Sequence, residues 1–422
     1  MTSVTLLFVT LAFLLGLGVP IGISIGLATL AGIVHDGIPL LFFTQRCFNT
    51  FDSFPLMAVP FFLLAGDIMQ RGTLANSLLG LCQSFVGHRR GGLAHISVLT
   101  SLFYGALCGS SAATTAAVGG IMIPAMSREG YPTRFAAAVN AAGGALGVMI
   151  PPSIPLILYG ASGSVSITDL FIAGIIPGVI VAAGFIVTSH IIIRKTGYGE
   201  IHPKAPWSER LHALAVAKWA ILVPVIVLGF IYGGITTPTE AGAVAVLYAL
   251  LVETFITRSL TWNLLKEIMK SSLSTLSVIF LIIITATAMG TFLQFHNLDK
   301  VLIDFVHSVT QSQAVFLFIM LIFFLIIGTF MDCSATILIF APLLVPLARS
   351  YGVDPVHFGI FMLVALCTGF LTPPVGTNLF VVCSLTGQNI MSISKEVLPY
   401  VLSMIVVLLM LMYIPSVTLF LL

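Results

Sequence analysis

Residues 146–160 read LGVMIPPSIPLILYG. Two adjacent prolines, Pro151 and Pro152, and a third, Pro155, interrupt an otherwise apolar run. Proline removes a helix hydrogen bond, and its ring clashes with the carbonyl four residues back. A spanning helix broken here leaves backbone N–H and C=O groups unpaired. That is tolerated at membrane depth only where the break is buried in protein or lines a watered cavity. The stretch therefore raises two questions: what shelters the break, and what its free groups bind.

The surrounding chain has 422 residues, of which 58% are hydrophobic and 8% charged. Soluble domains carry about 25% charged residues. Many apolar runs here reach the roughly 20 residues that cross a bilayer. The expectation is an all-α polytopic membrane protein whose surroundings are the lipid bilayer. A net charge of +2, spread along the chain, excludes nucleic acid as a partner. The first 30 or so residues lack a basic n-region and a small-residue cleavage site, so they read as mature membrane helix. The six cysteines form no C-x-x-C pair, and the nine histidines show no H-E-x-x-H spacing. They read as small buried residues and interfacial groups, with no metal centre.

The proline break recurs. Shifted by 222 residues, Ala113-Thr114 falls on Ala335-Thr336, Pro124 on Pro346, Gly130 on Gly352, Gly147 on Gly369, and Pro151-Pro152 on Pro373-Pro374. The chain thus reads as two repeats. Residues 1–90 form the first scaffold and arm helices, and 91–195 the first transport part. Residues 196–217 form a cytoplasmic loop between the repeats. Residues 218–311 form the second scaffold and arm, and 312–422 the second transport part.

Charge orients them. The run from Arg194 to Lys218 carries five basic residues beside its histidines, and the positive-inside rule places it in the cytoplasm. The GHRR run at 87–90, the turn at 128–134 and residues 258–270 are also basic. Segment 92–125 has basic flanks at both ends and the small polar patch CGSSAATT (108–115) in its middle, so it reads as a re-entrant hairpin from the cytoplasm. Counting spans onward, the hairpin at 313–348, with GTFMDCSAT (328–336) in its middle, enters from outside. The fold expected is inverted-topology repeats with two re-entrant hairpins and two broken helices, the design by which secondary transporters build midplane sites. Segments 74–87 and 298–311 are short and amphipathic and read as interfacial arms. Asp67 and Arg71 stand at helical i,i+4 spacing and read as a structural pair.

A broken helix offers carbonyls from one half, which suit a dehydrated cation, and N-terminal dipoles from the other, which suit an anion. Cation-binding candidates are Ser110, Asn140, Gly144 and Gly147 in the first repeat, and Asp332, Thr336, Thr368, Gly369 and Thr372 in the second. Substrate-binding candidates are Ser111, Thr114, Ser153, Ser334, Thr377 and Asn378. Asp332 stands out because an ionisable group at membrane depth is a functional hypothesis by default. It could equally cap the hairpin helix with its carboxylate, and both can hold at once. Serine and threonine clusters also serve close helix packing.

The stretches at 105–126, 143–160, 328–348 and 369–381 resemble the large membrane subunit of TRAP transporters, the tripartite ATP-independent periplasmic type. The resemblance covers essentially the whole chain. It implies a bacterial inner-membrane importer of organic acids, of the sialic acid or C4-dicarboxylate class. It implies Na⁺ as the coupling ion, with two sites, and an elevator-type motion. Its implied partners are a periplasmic substrate-binding protein and a small four-helix membrane subunit. Family ion and substrate positions carry over to Ser110, Ser111, Ser153, Asp332, Thr336, Gly369, Thr372 and Thr377. Many relatives place an acidic residue where this chain has Thr114, so the first site here leans on backbone and hydroxyl oxygens. No extra N-terminal helices are present, so the small subunit is expected as a separate chain. A stand-alone Na⁺/dicarboxylate symporter of related design is the alternative. An intramembrane enzyme would need a nucleophile–base set at depth, and only one deep acid stands there, so no enzymatic activity is expected. The paired breaks favour occluded binding over a channel pore.

Overall fold

The computed structural model describes residues 2–88, 90–200 and 203–422. Arg89 of the GHRR run, and Ile201 and His202 of the inter-repeat loop, lie outside them. Among the described residues the regular structure is entirely helical. The first half comprises α1 (Thr2–Gly16), α2 (Ile21–His35), α3 (Leu40–Phe51), α4 (Ala58–Arg71), α5 (Leu74–Val86), α6 (Gly92–Cys108), α7 (Ser111–Arg128), α8 (Thr133–Ala145), α9 (Ile154–Gly163) and α10 (Ile167–Thr196). The second half comprises α11 (Trp207–Tyr232), α12 (Pro238–Leu251), α13 (Trp262–Phe295), α14 (Leu298–Val309), α15 (Gln313–Gly328), α16 (Cys333–Ser350), α17 (Pro355–Gly369), α18 (Thr377–Thr386) and α19 (Ile390–Tyr413), and a short α20 (Ser416–Leu419) closes the chain. Six of these helices are long and apolar enough to cross a membrane, and up to eight spans result if two sharply bent pairs each count as one.

The 222-residue register seen in the sequence is also a register of structure. The bounds of α7, shifted by 222, are the bounds of α16. The Pro151–Pro152 and Pro373–Pro374 peptides are both cis and occupy the same place in each half. One difference from expectation lies between the halves. The loop read as 196–217 ends at Pro206, because α11 starts at Trp207 with Glu209 in its first turn. The Arg210 guanidinium lies over the rings of Phe85 and Trp207, which lets this polar first turn pack instead of running free.

The two halves interlock. α6 and α7 pack on each other as a hairpin, whereas α15 and α16 splay: α15 packs on α17, and α16 on α9 and α13. α18 packs on α7 and α8. Each half's broken helix is thus sheltered by the other half's elements, which answers the first question posed by the prolines. Around this body α1, α2, α3 and α13 pack together, and α12 packs on α4. Asp67 on α4 accepts a hydrogen bond from Ser272 on α13, and the Arg71 charge one turn on also acts on its carboxylate.

The arms are tied to this scaffold by carboxylates. Glu253, in the π turn that ends α12, is fully buried. Its Oε1 accepts from the backbone N–H groups of Thr73 (2.9 Å) and Leu74 (3.0 Å), which are free because α5 starts there. Its Oε2 accepts from the hydroxyls of Thr73, Thr257 and Ser259. A buried donor left without a partner costs about 1–3 kcal/mol. Glu253→Ala strands several, so it is expected to lower the melting temperature in detergent by several degrees. An unchanged melting curve would show that α5 finds its cap elsewhere. Just before the other arm, Asp36 at the end of α2 meets His296 at the end of α13, with 2.8 Å between Oδ2 and Nε2.

Candidate functional site

The shelter encloses a cleft of about 460 Å³, of the size that holds a small organic ligand. It is lined by both hairpin tips (Ser110, Ser111, Asp332, Ser334) and by the second halves of both broken helices (Ile154, Pro155, Thr377). Its far wall is scaffold: Pro20 to Gly22 at the start of α2, and residues 275–282 of α13.

Four helix N-termini therefore open into one space, those of α7, α9, α16 and α18. Each carries unsatisfied N–H groups and roughly half a positive charge. Local chemistry fixes each of them. Ser110 caps α7 by accepting from Ala113 N–H (3.4 Å), and Asp332 caps α16 by accepting from Ser334 N–H (2.8 Å). Ser153 precedes α9 and donates to the Val148 carbonyl, closing the first break on itself. Gly376 precedes α18 with φ of +50°, a backbone shape that glycine adopts without strain. Among the residues lining the cleft, Asp332 alone is charged, and it is exposed to it.

Behind the tips, the hairpins touch the breaks through backbone. A Cβ on Gly147 would lie 2.4 Å from Thr114 Oγ1 and 2.7 Å from the Ser110 carbonyl oxygen. A Cβ on Gly369 would lie 2.2 Å from the carbonyl carbon and oxygen of Gly328. Matching hydroxyls back-bond to the tips: Thr114 Oγ1 donates to Ser110 O (2.8 Å) and Thr336 Oγ1 to Asp332 O (2.9 Å). Thr372 donates to Gly369 O at 3.2 Å, and Val375 N–H reaches Thr329 O at 3.3 Å across to the tip. Each junction thus gathers backbone carbonyls and hydroxyls where a hairpin tip meets a break.

The structure brings together most of the candidates and separates two. Ser110, Ser111, Asp332, Ser334 and Thr377 line the cleft, while Thr114, Gly147, Ser153, Thr336, Gly369 and Thr372 form the junctions behind it. Asn140 lies elsewhere: its amide accepts from Ser97 (2.7 Å) and donates to Ala136 O (2.8 Å). Thr368 donates to Val364 O (3.0 Å), with Met404 of α19 as its other neighbour. Both side chains are engaged in helix packing, while the Thr368 carbonyl accepts from Thr372 Oγ1 (3.4 Å) at the second break. Gly144 is a contact point, where a Cβ would meet Thr115 Oγ1 and Asn378 Nδ2. Asn378 ties the halves together, accepting from Ser111 Oγ and donating to Ala141 O, both at 2.9 Å. The scaffold wall at Pro20–Gly22 and 275–282 was missed in the sequence. Its residues are apolar apart from Thr275, and only the fold places them opposite the tips.

The model of the tripartite ATP-independent periplasmic transporter DctM component matches residues 8–417. The chain belongs to the DctM family of TRAP transporter large permeases. It is 42% identical over 98% of its length to the isethionate TRAP transporter permease protein DctMQ of Oleidesulfovibrio alaskensis, and spans 65% of that longer relative. It is 35% identical to the C4-dicarboxylate large permease DctM of Rhodobacter capsulatus, over 99% of this chain and 98% of that one. It is 34% identical to the sialic acid large permease SiaM of Vibrio cholerae, over 97% and 96%. In fold it is similar to the YdaH transporter of Alcanivorax borkumensis, with a TM-score of 0.68 at 16% identity over 89% of each chain. Like other TRAP permeases, the chain is a multi-pass protein of the bacterial inner membrane.

Proposed function

We propose that this large permease carries an organic acid, of the sialic acid, C4-dicarboxylate or related sulfonate class, through the cleft, with Na⁺ as the coupling ion. The observation that carries the reading is the convergence of four helix N-termini and one carboxylate on a single space. The N-termini attract an anion. The Asp332 carboxylate repels it: two unit charges about 7 Å apart interact by about 2 kcal/mol at an effective dielectric constant of about 20. A cation at the junction behind Asp332 turns that repulsion into attraction, so ion and acid bind best together. The Gly369–Thr372 junction with Asp332 and Thr336 would hold one Na⁺, and the Gly147–Ser110 junction with Thr114 the other.

The tips, breaks and junctions would travel as one body against α1, α2, α11 to α13 and a separate small four-helix subunit, in an elevator-type motion of inverted repeats. A periplasmic binding protein would deliver the acid. The test is uptake in vesicles holding this chain, the small subunit and the binding protein, with succinate, N-acetylneuraminate and isethionate as candidates. One of these acids is expected to accumulate only with an inward Na⁺ gradient and the binding protein present. Uptake by this chain alone would favour a stand-alone symporter. Uptake indifferent to Na⁺ would remove the coupling ion.

A further inference from the structure

A second cavity, of about 270 Å³, opens beside the same helices. Arg46 and Asn49 of α3, Ser162 of α9, and Thr287, Thr291 and Gln294 of α13 line it. Leu338 of α16 lines both this cavity and the deep cleft, so the two are neighbours. They succeed one another along α13, the cleft facing residues 275–282 and the second cavity residues 283–294. At about 1.5 Å per residue their centres lie about 15 Å apart along that helix. The start of α13 carries Lys266 and Lys270 and lies inside by the positive-inside rule. The second cavity is therefore on the outer side of the cleft.

Its chemistry complements that of the cleft. Arg46 is the one charged residue lining it. The guanidinium rests 5.5 Å over the Phe42 ring, and among the described residues no carboxylate pairs with it. An unpaired guanidinium fork beside two side-chain amides recognises a planar or tetrahedral oxyanion through charge-assisted, bidentate bonds. The Thr287 and Thr291 hydroxyls donate to Ile283 O (2.8 Å) and Thr287 O (2.9 Å), and Ser162 donates to Leu158 O (2.7 Å). Their oxygens remain acceptors for the hydroxyl groups or hydration water of an acid.

We propose that this cavity is a waiting site for the incoming organic anion, outside the cation-dependent cleft, and that Arg46 recognises its carboxylate or sulfonate group. The site lets an anion enter the membrane region against a fixed positive charge before the Na⁺ junctions hold it. The proposal rests on the transport reading for its purpose, but not for its chemistry. A phospholipid phosphate offers the same oxyanion, so the test must separate the two sources.

Thr291→Cys, in a chain whose six native cysteines are replaced by serine, places a thiol in the cavity. The chain in nanodiscs is treated with 2-sulfonatoethyl methanethiosulfonate (anionic) and 2-trimethylammonioethyl methanethiosulfonate (cationic). Relative to a free thiol, the anionic reagent is expected to be favoured at least tenfold. Arg46→Gln should reduce that preference to within twofold, and Arg46→Lys should retain part of it. Succinate, N-acetylneuraminate or isethionate should slow the anionic reagent. A preference untouched by Arg46→Gln overturns the proposal. Protection by phosphatidylglycerol in the nanodisc but by none of the acids assigns the cavity to lipid and also overturns it. In the native-cysteine chain, assembled with its partner subunits, Arg46→Gln should raise KM for uptake about tenfold with kcat kept. A preference that stands while no acid is taken up would sink the transport reading and leave the anion site intact.

Discussion

Gly369→Ala is expected to abolish uptake. The new Cβ would lie 2.2 Å from both the carbonyl carbon and oxygen of Gly328, and 2.7 Å from its Cα. All three are backbone atoms, so no rotamer change relieves the contact. The end of α15 must separate from the end of α17 by about an ångström, and overpacking of this kind costs about 1–3 kcal/mol. A protein of this size can survive that, but the second junction cannot keep its shape. Misplacing a site by about 1 Å can cost about 100-fold in rate, so uptake should fall by at least that factor while the chain still reaches the membrane. Gly147→Ala should act in the same direction but less severely. There one of the obstructing atoms is the Thr114 hydroxyl, which can swing aside, although the Ser110 carbonyl cannot. Gly229→Ala, in α11, meets nothing within 4 Å and serves as the neutral control. Uptake close to normal in Gly369→Ala, measured against membrane-inserted protein, would show that hairpin tip and break need not touch.

The glycine contact also shows what could be read in advance and what could not. The breaks, the tips and their spacing were visible because proline and glycine act through the backbone, and backbone effects do not depend on what lies nearby. The Asp332 cap was legible for the same reason: a cap is a local event at a helix start. Where the Asn140 and Thr368 side chains point was not legible, because α8 and α17 are buried all round. A helix that is apolar on every face gives no amphipathic signal to say which way a polar side chain points. Only packing decides that, and it turned Asn140 toward Ser97 and Thr368 toward α19. Glu253 carried no signal either. Its carboxylate is satisfied by the start of α5, some 180 residues away in the chain. Arg46 carried no signal in the sequence, and only the fold sets it beside Gln294 and Ser162.

Asp332 raises a question that one substitution cannot answer but two can. Its carboxylate caps α16, and the same carboxylate is the only charge in the cleft. Asparagine caps a helix about as well as aspartate, whereas alanine forfeits about 1 kcal/mol. Asp332→Asn therefore keeps the cap and removes the charge; Asp332→Ala removes both. If capping were the whole role, Asp332→Asn would melt and transport like the parent chain, and only Asp332→Ala would suffer. If the charge holds Na⁺, both variants lose coupling, and Asp332→Asn does so with its melting temperature preserved. The expected result is the second. The apparent Na⁺ affinity for uptake should weaken at least tenfold in both variants, a loss of about 1.4 kcal/mol. The like-charge argument adds a further mark. Without the carboxylate, the acid no longer needs a cation to enter the cleft, so its binding to Asp332→Asn in Na⁺-free buffer should equal or exceed that of the parent. Calorimetry on the purified complex reads this directly. Acid binding that still requires Na⁺ as strongly as before would place the coupling ion away from Asp332, at the Gly147 junction alone.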